Sequence, residues 1–120
     1  MLRKIFCAAL MSVVLVVGAT VSAEEVLIHK FDDGTRCCVL TETFINRTQY
    51  RDNRAFSVDV AFILGLGADK KNYSFRENDG LIYFSVDGGA DNFAEQDALA
   101  KKIWDFGKKF LGIDYEVSYK

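Results

Sequence analysis

The sequence predicts an α+β fold in which one long helix packs on one face of a curved, mainly antiparallel sheet. Three observations support this class: an amphipathic segment near the C-terminus, several short β-type segments separated by Asp-Gly pairs, and an aromatic content of 13% with no proline. A helix buries one stripe and an antiparallel sheet buries one face, so the two together enclose a single core. We expect about five strands in a meander, then the helix, then a final strand.

The helix is predicted from Asn92 to Leu111. At 100° per residue its charged side chains fall on one arc and its apolar side chains on the opposite arc. The apolar arc consists of Phe93, Leu99, Ala100, Ile103, Trp104, Phe106, Gly107, Phe110 and Leu111. Asn92 and Glu95 have the spacing of a capping box, and Gly112 suits a C-terminal cap. We expect this helix to cover the sheet.

The first two strands are predicted over residues 26–31 and 35–44, which flank Asp33-Gly34. An Asp-Gly pair between two β-type segments favours a hairpin with a type I′ turn. If these two residues form the loop, His29 faces Cys38 on the neighbouring strand.

Three further segments complete the predicted meander. Residues 56–66 alternate apolar and small or polar side chains, which predicts a central strand against the helix. Residues 71–77 and 81–86 flank a second Asp-Gly pair, and residues 113–119 alternate again after the helix. The side chains expected to meet between helix and central strand are Ile103, Trp104 and Phe110 with Val58, Val60 and Phe62.

The N-terminus predicts an export signal. Arg3-Lys4 precede an apolar run, and the small residues Val21 and Ala23 occupy the −3 and −1 positions that signal peptidase requires. The predicted organisation is therefore a signal peptide at residues 1–23 and one α+β domain at residues 24–120. An uncleaved membrane anchor is the alternative, since the apolar run approaches the length of a spanning helix.

Cleavage predicts a protein of the periplasm or the medium with no stable membrane anchor. Without Arg3 and Lys4 the formal net charge falls from −2 to −4, which argues against nucleic-acid binding. The length that remains suits one domain with one modest core.

Cys37 and Cys38 are the only cysteines after the predicted leader. Successive strand residues point to opposite faces, so a disulfide between them needs a local distortion of the strand. We consider three states: one thiol in the core with the other idle or bridging two chains, a strained vicinal disulfide, and a redox or soft-metal role. His29, the only histidine, supplies the base or ligand that the last state needs, or it is an ordinary strand histidine.

Residues 46–54 form a polar segment without periodicity and predict the longest loop of the domain. Arg47, Arg51 and Arg54 flank Tyr50 there, and guanidinium groups bind carboxylates and phosphates well. These four residues are the candidate ligand or partner site. A solvated loop without a binding role explains the same composition.

The pattern as a whole predicts a small exported, non-catalytic binding or interaction domain. The sequence contains no His-Glu-x-x-His, no Cys-x-x-Cys and no glycine-rich phosphate loop. We therefore expect no catalytic residue and no cofactor. The expected partner is a small apolar or anionic ligand held in a cleft between helix and sheet, or a protein. In the second arrangement the aromatic side chains form a closed core, and the protein pairs with an exposed strand edge at residues 115–119. The alternative is a thiol-redox or soft-metal-binding protein that uses Cys37-Cys38 with His29.

Overall fold

The computed structural model describes residues 25–117, and the predicted signal peptide at residues 1–23 lies outside this range. The elements in chain order are β1 (Glu25–Lys30), β2 (Arg36–Asn46), β3 (Ala55–Leu64), β4 (Gly67–Asn78), β5 (Leu81–Val86), β6 (Asn92–Phe93), a 3₁₀ turn (Ala94–Gln96) and α1 (Ala98–Leu111). They form one six-stranded antiparallel sheet in the order β1-β2-β3-β4-β5-β6, with α1 packed on one face. The predicted α+β class and meander order are confirmed.

The β3–β4 and β4–β5 hairpin turns both contain residues with positive backbone φ angles. Asp79 and Gly80 have φ of +52° and +82°, the type I′ combination, and Asn78 faces Leu81 as predicted. The β3–β4 turn is shorter than the sequence suggested. Gly65 takes φ of +59° at the first position of a two-residue turn, so residues 67–70 belong to β4 instead of to the loop.

The β1–β2 turn differs from the prediction. Phe31 N–H donates to Thr35 O (2.8 Å), Gly34 N–H donates to Phe31 O (3.0 Å), and Gly34 has φ of +94°. This is the three-residue loop in which a left-handed glycine follows a type I turn, so Asp33-Gly34 do not form a two-residue I′ loop. The Asp33 carboxylate also accepts the N–H of Thr35 (2.9 Å), which favours this turn locally.

The longer loop changes the register of β1 against β2. The loop of three residues places His29 opposite Cys37, and a bulge in β1 between Leu27 and His29 then places Leu27 opposite Cys38. The predicted pairing of His29 with Cys38 is therefore wrong. The bulge inserts one extra residue in the edge strand, which a turn-based register cannot anticipate.

The helix starts later than the capping-box pattern suggested. Asn92 and Phe93 pair with β5 as a short sixth strand, and α1 begins at Ala98. Asp97 is the N-cap, because its Oδ1 accepts the N–H of Ala100 (2.9 Å). Gly112 ends the helix in the left-handed conformation with φ of +72°, as predicted.

The final strand predicted at residues 113–119 is absent from the described residues, since residues 113–117 adopt no strand conformation. This segment is held by a side chain instead of a strand ladder. Arg54 Nη1 donates to the carbonyl oxygens of Ile113 (2.9 Å) and Tyr115 (3.0 Å). A guanidinium has several donors in a fixed fork, so one arginine can hold two carbonyl groups of an irregular segment.

The helix lies on the sheet through a stack of aromatic rings. Trp104 is nearly parallel to Phe56, with ring centroids 5.5 Å apart and planes 7° from parallel, and it lies 5.9 Å from Phe75. Ile103 and Trp104 are buried as predicted. Phe110 is not, because it is 50% exposed and stacks on Phe44 at 4.8 Å.

Gly107 lets the helix backbone approach the sheet closely. An ideal Cβ at this position would lie 2.6 Å and 2.8 Å from Cε1 and Cε2 of Phe56, and closer still to Cζ. Any larger residue therefore requires Phe56 or the helix to move. Core side chains fill the space between α1 and the sheet, where the sequence led us to expect a cleft.

A buried ion pair in the core joins the loop before β3 to strand β4. Arg54 Nε lies 2.8 Å from Glu77 Oε1, and Arg54 Nη2 lies 2.6 Å from Glu77 Oε2. Both residues are buried, with 6% and 4% of their surfaces exposed. A buried charge that loses its partner is strongly destabilising, so the pair has to be kept or removed as a unit.

We predict that Glu77→Gln lowers the free energy of unfolding by about 3–5 kcal/mol, because it removes the carboxylate that pairs with the Arg54 guanidinium in the core. Urea unfolding measures the change. The matched control is Asp91→Asn, which breaks the half-exposed Arg76–Asp91 pair (2.8 Å) and should cost less than about 1 kcal/mol. Equally small losses for both variants would contradict the buried state of Arg54.

Candidate functional site

The two adjacent cysteines lie on opposite faces of β2, and both are buried free thiols. Burial raises the pKa of Cys37 to about 11, and the neighbouring Cys38 adds to the effect. Burial and Glu25 raise the pKa of Cys38, which Arg36 opposes. Thiolates are the form that binds metals and attacks disulfides, and both thiols stay protonated near neutral pH.

His29 lies on a strand beside Cys37, and its nearest described polar contact is a lysine. Lys102 Nζ is 2.9 Å from His29 Nδ1, and the imidazole packs edge-on against Phe31 at 4.5 Å. Within residues 25–117 no group of three or more His, Cys, Asp or Glu side chains is placed to hold a metal ion. The structure thus brings His29 next to one thiol and leaves the other on the far face.

The four loop residues do not converge on one point. Arg54 is turned inward to Glu77, Arg47 Nε donates to Ser57 Oγ (3.3 Å), and Arg51 lies over the Tyr115 ring at 3.9 Å. Tyr50 is 67% exposed. The group therefore has two outward cations with separate contacts instead of a single anion-binding cluster.

An open cleft of about 370 Å³ lies at the end of the domain where α1 begins. The residues that line it are Tyr73, Phe84, Val86, Asn92, Phe93, Gln96 and Asp97. None of the sequence-predicted site residues is among them. We call this opening the Tyr73 cleft.

The cleft exists because the chain changes from sheet to helix in a few residues. The Asp87-Gly88 turn, with φ of +52° and +75°, returns the chain to β5. β6 then pairs only at Asn92 and Phe93 before the chain leaves the sheet for the 3₁₀ turn. The short strand leaves the inner side chains of β4 and β5 open at this end.

Tyr73 is the buried polar residue of the cleft. It is 7% exposed, and its ring centroid lies 6.1 Å from that of Phe75 and 6.0 Å from that of Phe84. Within the described part of the chain its hydroxyl has no hydrogen-bond partner. Buried hydroxyl groups usually have one, so a hydroxyl that lines an opening points to water or a ligand as the missing partner.

The electrostatic environment of this hydroxyl is negative. Burial raises the pKa of Tyr73 to about 12, and the carboxylates of Asp97 and Asp87 contribute in the same direction. Among the lining residues Asp97 has the only formal charge. The hydroxyl is therefore a neutral donor and acceptor beside a carboxylate.

No protein-family model, curated protein or solved structure matches this chain. Within the described residues, no helix has the length and apolar character that crossing a bilayer requires.

Sequence reasoning missed the Tyr73 cleft, although two signals were present. Pairing around the second Asp-Gly pair puts five side chains on one face of the predicted hairpin: Tyr73, Phe75, Ile82, Phe84 and Val86. Tyr73 is the one hydroxyl-bearing residue among them. Asp97 precedes a run of good helix formers, which is a cap signal. The apolar positions of the helix pattern extended back to Phe93, and this placed the helix start too early.

We predict that Tyr73→Phe leaves the free energy of unfolding unchanged or raises it by up to about 1 kcal/mol, because the hydroxyl that it removes from this buried residue has no hydrogen-bond partner within residues 25–117. Thermal and urea unfolding measure the change. Tyr83→Phe, on the half-buried opposite face, is the matched control and should be neutral. A loss above about 1 kcal/mol for Tyr73→Phe alone would show that the hydroxyl has a stabilising protein partner in solution.

Proposed function

We propose that this protein is a small exported, non-catalytic binding domain, and that its ligand site is the Tyr73 cleft. The observation that carries the proposal is Tyr73, a buried residue at an opening of about 370 Å³ whose hydroxyl has no hydrogen-bond partner within residues 25–117. Ligand sites are concave and mostly apolar, with a few polar groups that fix orientation. The Tyr73 cleft has aromatic and aliphatic walls, but its accessible lining is more polar than apolar, since Asn92, Gln96 and Asp97 also line it.

The rest of the domain supports binding over catalysis. A thiol mechanism needs an accessible thiolate, whereas Cys37 and Cys38 are buried and their pKa values are raised. His29 contacts Lys102 and Phe31, and no carboxylate among residues 25–117 orients it as in a catalytic pair. The thiol or soft-metal alternative is therefore the weaker proposal.

The loop arginines are the second place where a partner could bind, and we rank it below the cleft. Arg51 is engaged with Tyr115, and Arg54 is held by Glu77 and the carbonyl groups of residues 113 and 115. A site for a carboxylate or phosphate needs donors that point to a common position. The export proposal depends on the leader-like residues 1–23, and a mature chain that begins at Glu24 would support it.

The proposal is tested by screening a library of small fragments against the ¹⁵N-labelled protein by NMR. We expect binding fragments to shift the amide signals of β4, β5 and residues 92–97, with Tyr73, Gln96 and Asp97 among the largest shifts. The fragments themselves should stay chemically unchanged over the experiment. Shifts confined to residues 47–51, or conversion of a fragment into a product, would contradict the proposal.

A further inference from the structure

We infer that the Tyr73 cleft, if it is the binding site of the proposed function, selects a small organic amine in its protonated form. The ligand would place its ammonium group at Tyr73, Gln96 and Asp97, and an apolar stem against Phe84 and Val86. This inference rests on the proposed function and adds the chemical class of the ligand. It departs from the anionic ligand that the loop arginines suggested.

Formal charge is the first reason. Among the described residues that line the cleft, Asp97 is the only charged one and none is basic. The neighbouring cations are engaged elsewhere: Lys101 pairs with Glu95 at 3.4 Å, and Arg76 pairs with Asp91 at 2.8 Å. A cationic head group therefore meets an attractive charge in the cleft, and an anionic one meets repulsion.

Hydrogen-bond capacity is the second reason. An alkylammonium group carries three donors and no acceptor. The cleft offers the hydroxyl of Tyr73, the amide oxygen of Gln96 and the carboxylate of Asp97, of which only Oδ1 is occupied, by the N–H of Ala100. Within residues 25–117 the hydroxyl of Tyr73 and the amide of Gln96 have no hydrogen-bond partner. The number of open acceptor groups matches the number of donors.

The partial positive charge at the N-terminus of α1 opposes this preference for a cation. The size of that charge therefore has to be compared with the charge of Asp97. A helix N-terminus has the effect of about half a positive charge, which favours anions. Asp97 is a full negative charge at that same terminus, and it already accepts from one of the first N–H groups of the helix. The net field at the cleft is therefore negative.

The size of the cleft limits the ligand to a small molecule. Its volume of about 370 Å³ lies near the lower end of the range of about 300–1,000 Å³ for ligand pockets. Tyr73 and Phe84 present an apolar wall beside the polar end, so an amine with a short aromatic or alkyl stem fits better than an unsubstituted ammonium ion. Benzylamine has this form and is cationic near neutral pH.

The test compares three probes of one size by NMR titration near neutral pH: benzylamine, benzyl alcohol and benzoate. We expect benzylamine to bind at Tyr73, Gln96 and Asp97 with a Kd of about 1 mM or lower, and about tenfold more tightly than benzoate. Benzyl alcohol should lie between them. A fourth probe, Nα-acetyl-lysine amide, carries the ammonium group on a lysine side chain, as a protein ligand would. We expect it to bind no more tightly than benzylamine.

Two variants separate charge from structure. Asp97→Asn keeps the N-cap, since Asn and Asp cap helices about equally well, and removes the charge. It should weaken benzylamine about fivefold and leave benzyl alcohol unchanged. Asp105→Asn removes one exposed charge two turns along α1 and should change neither affinity. Tyr73→Phe should weaken both benzylamine and benzyl alcohol, because both hydrogen-bond the hydroxyl.

The outcomes distinguish the two levels of the proposal. If benzoate binds the cleft as tightly as benzylamine, or Asp97→Asn has no effect, the cleft is a binding site but the amine assignment is wrong. If Nα-acetyl-lysine amide binds more than about tenfold more tightly than benzylamine, the natural ligand is a lysine side chain of a protein and not a free amine. If none of the probes perturbs the cleft, the inference fails, and the fragment screen then decides whether the proposed function fails with it.

Discussion

The contact between Gly107 and Phe56 sets the distance between the helix and the sheet, and most of the architecture depends on it. The absent side chain lets the helix backbone lie against the Phe56 ring. At that distance Trp104 reaches Phe56 and Phe75 and stacks on them. Aromatic pairs contribute more than the area they bury, so a domain of this size gains a stable core from few residues.

This close packing also determines where a ligand can bind. A helix raised above a sheet by bulky side chains leaves a cleft along its length, whereas here the core rings occupy that space. The opening lies instead at the start of α1, where β6 ends after Phe93. Asp97 both caps the helix and lines the cleft, so the residue that starts the helix also supplies the charge of the proposed site.

Features set by local chemistry were predictable from sequence, and features set by distant contacts were not. The Asp79-Gly80 turn and the Gly112 cap depend on local φ angles, and both predictions were correct. Asp33-Gly34 has the same dipeptide as the first of these, but the Asp33 side chain and a bulge in β1 shifted the register. The dipeptide alone does not specify which positions of the turn it occupies.

Long-range contacts of Arg54 explain two differences from the sequence-based prediction. Arg54 points inward, and residues 113–117 do not form the predicted final strand. Arg54 contacts Glu77 in β4 and the carbonyl groups after α1, partners that lie 23 and about 60 residues away in sequence. A pattern of arginines in a polar segment cannot reveal a partner at that separation. The candidate cleft was missed for the same reason, because its residues come from β4, β5, β6 and the turn before α1 and meet only in the folded chain.

The most direct test of this account is the stability of Gly107→Ala in two backgrounds. In an exposed helix this change would stabilise by up to about 1 kcal/mol. Because the added methyl group would meet Phe56, we expect Gly107→Ala to lower the free energy of unfolding of the parent by about 1–3 kcal/mol. The loss should be smaller in a Phe56→Leu background, where a smaller side chain replaces the ring. A gain in stability in the parent would contradict the close contact between helix and sheet from which the location of the cleft follows.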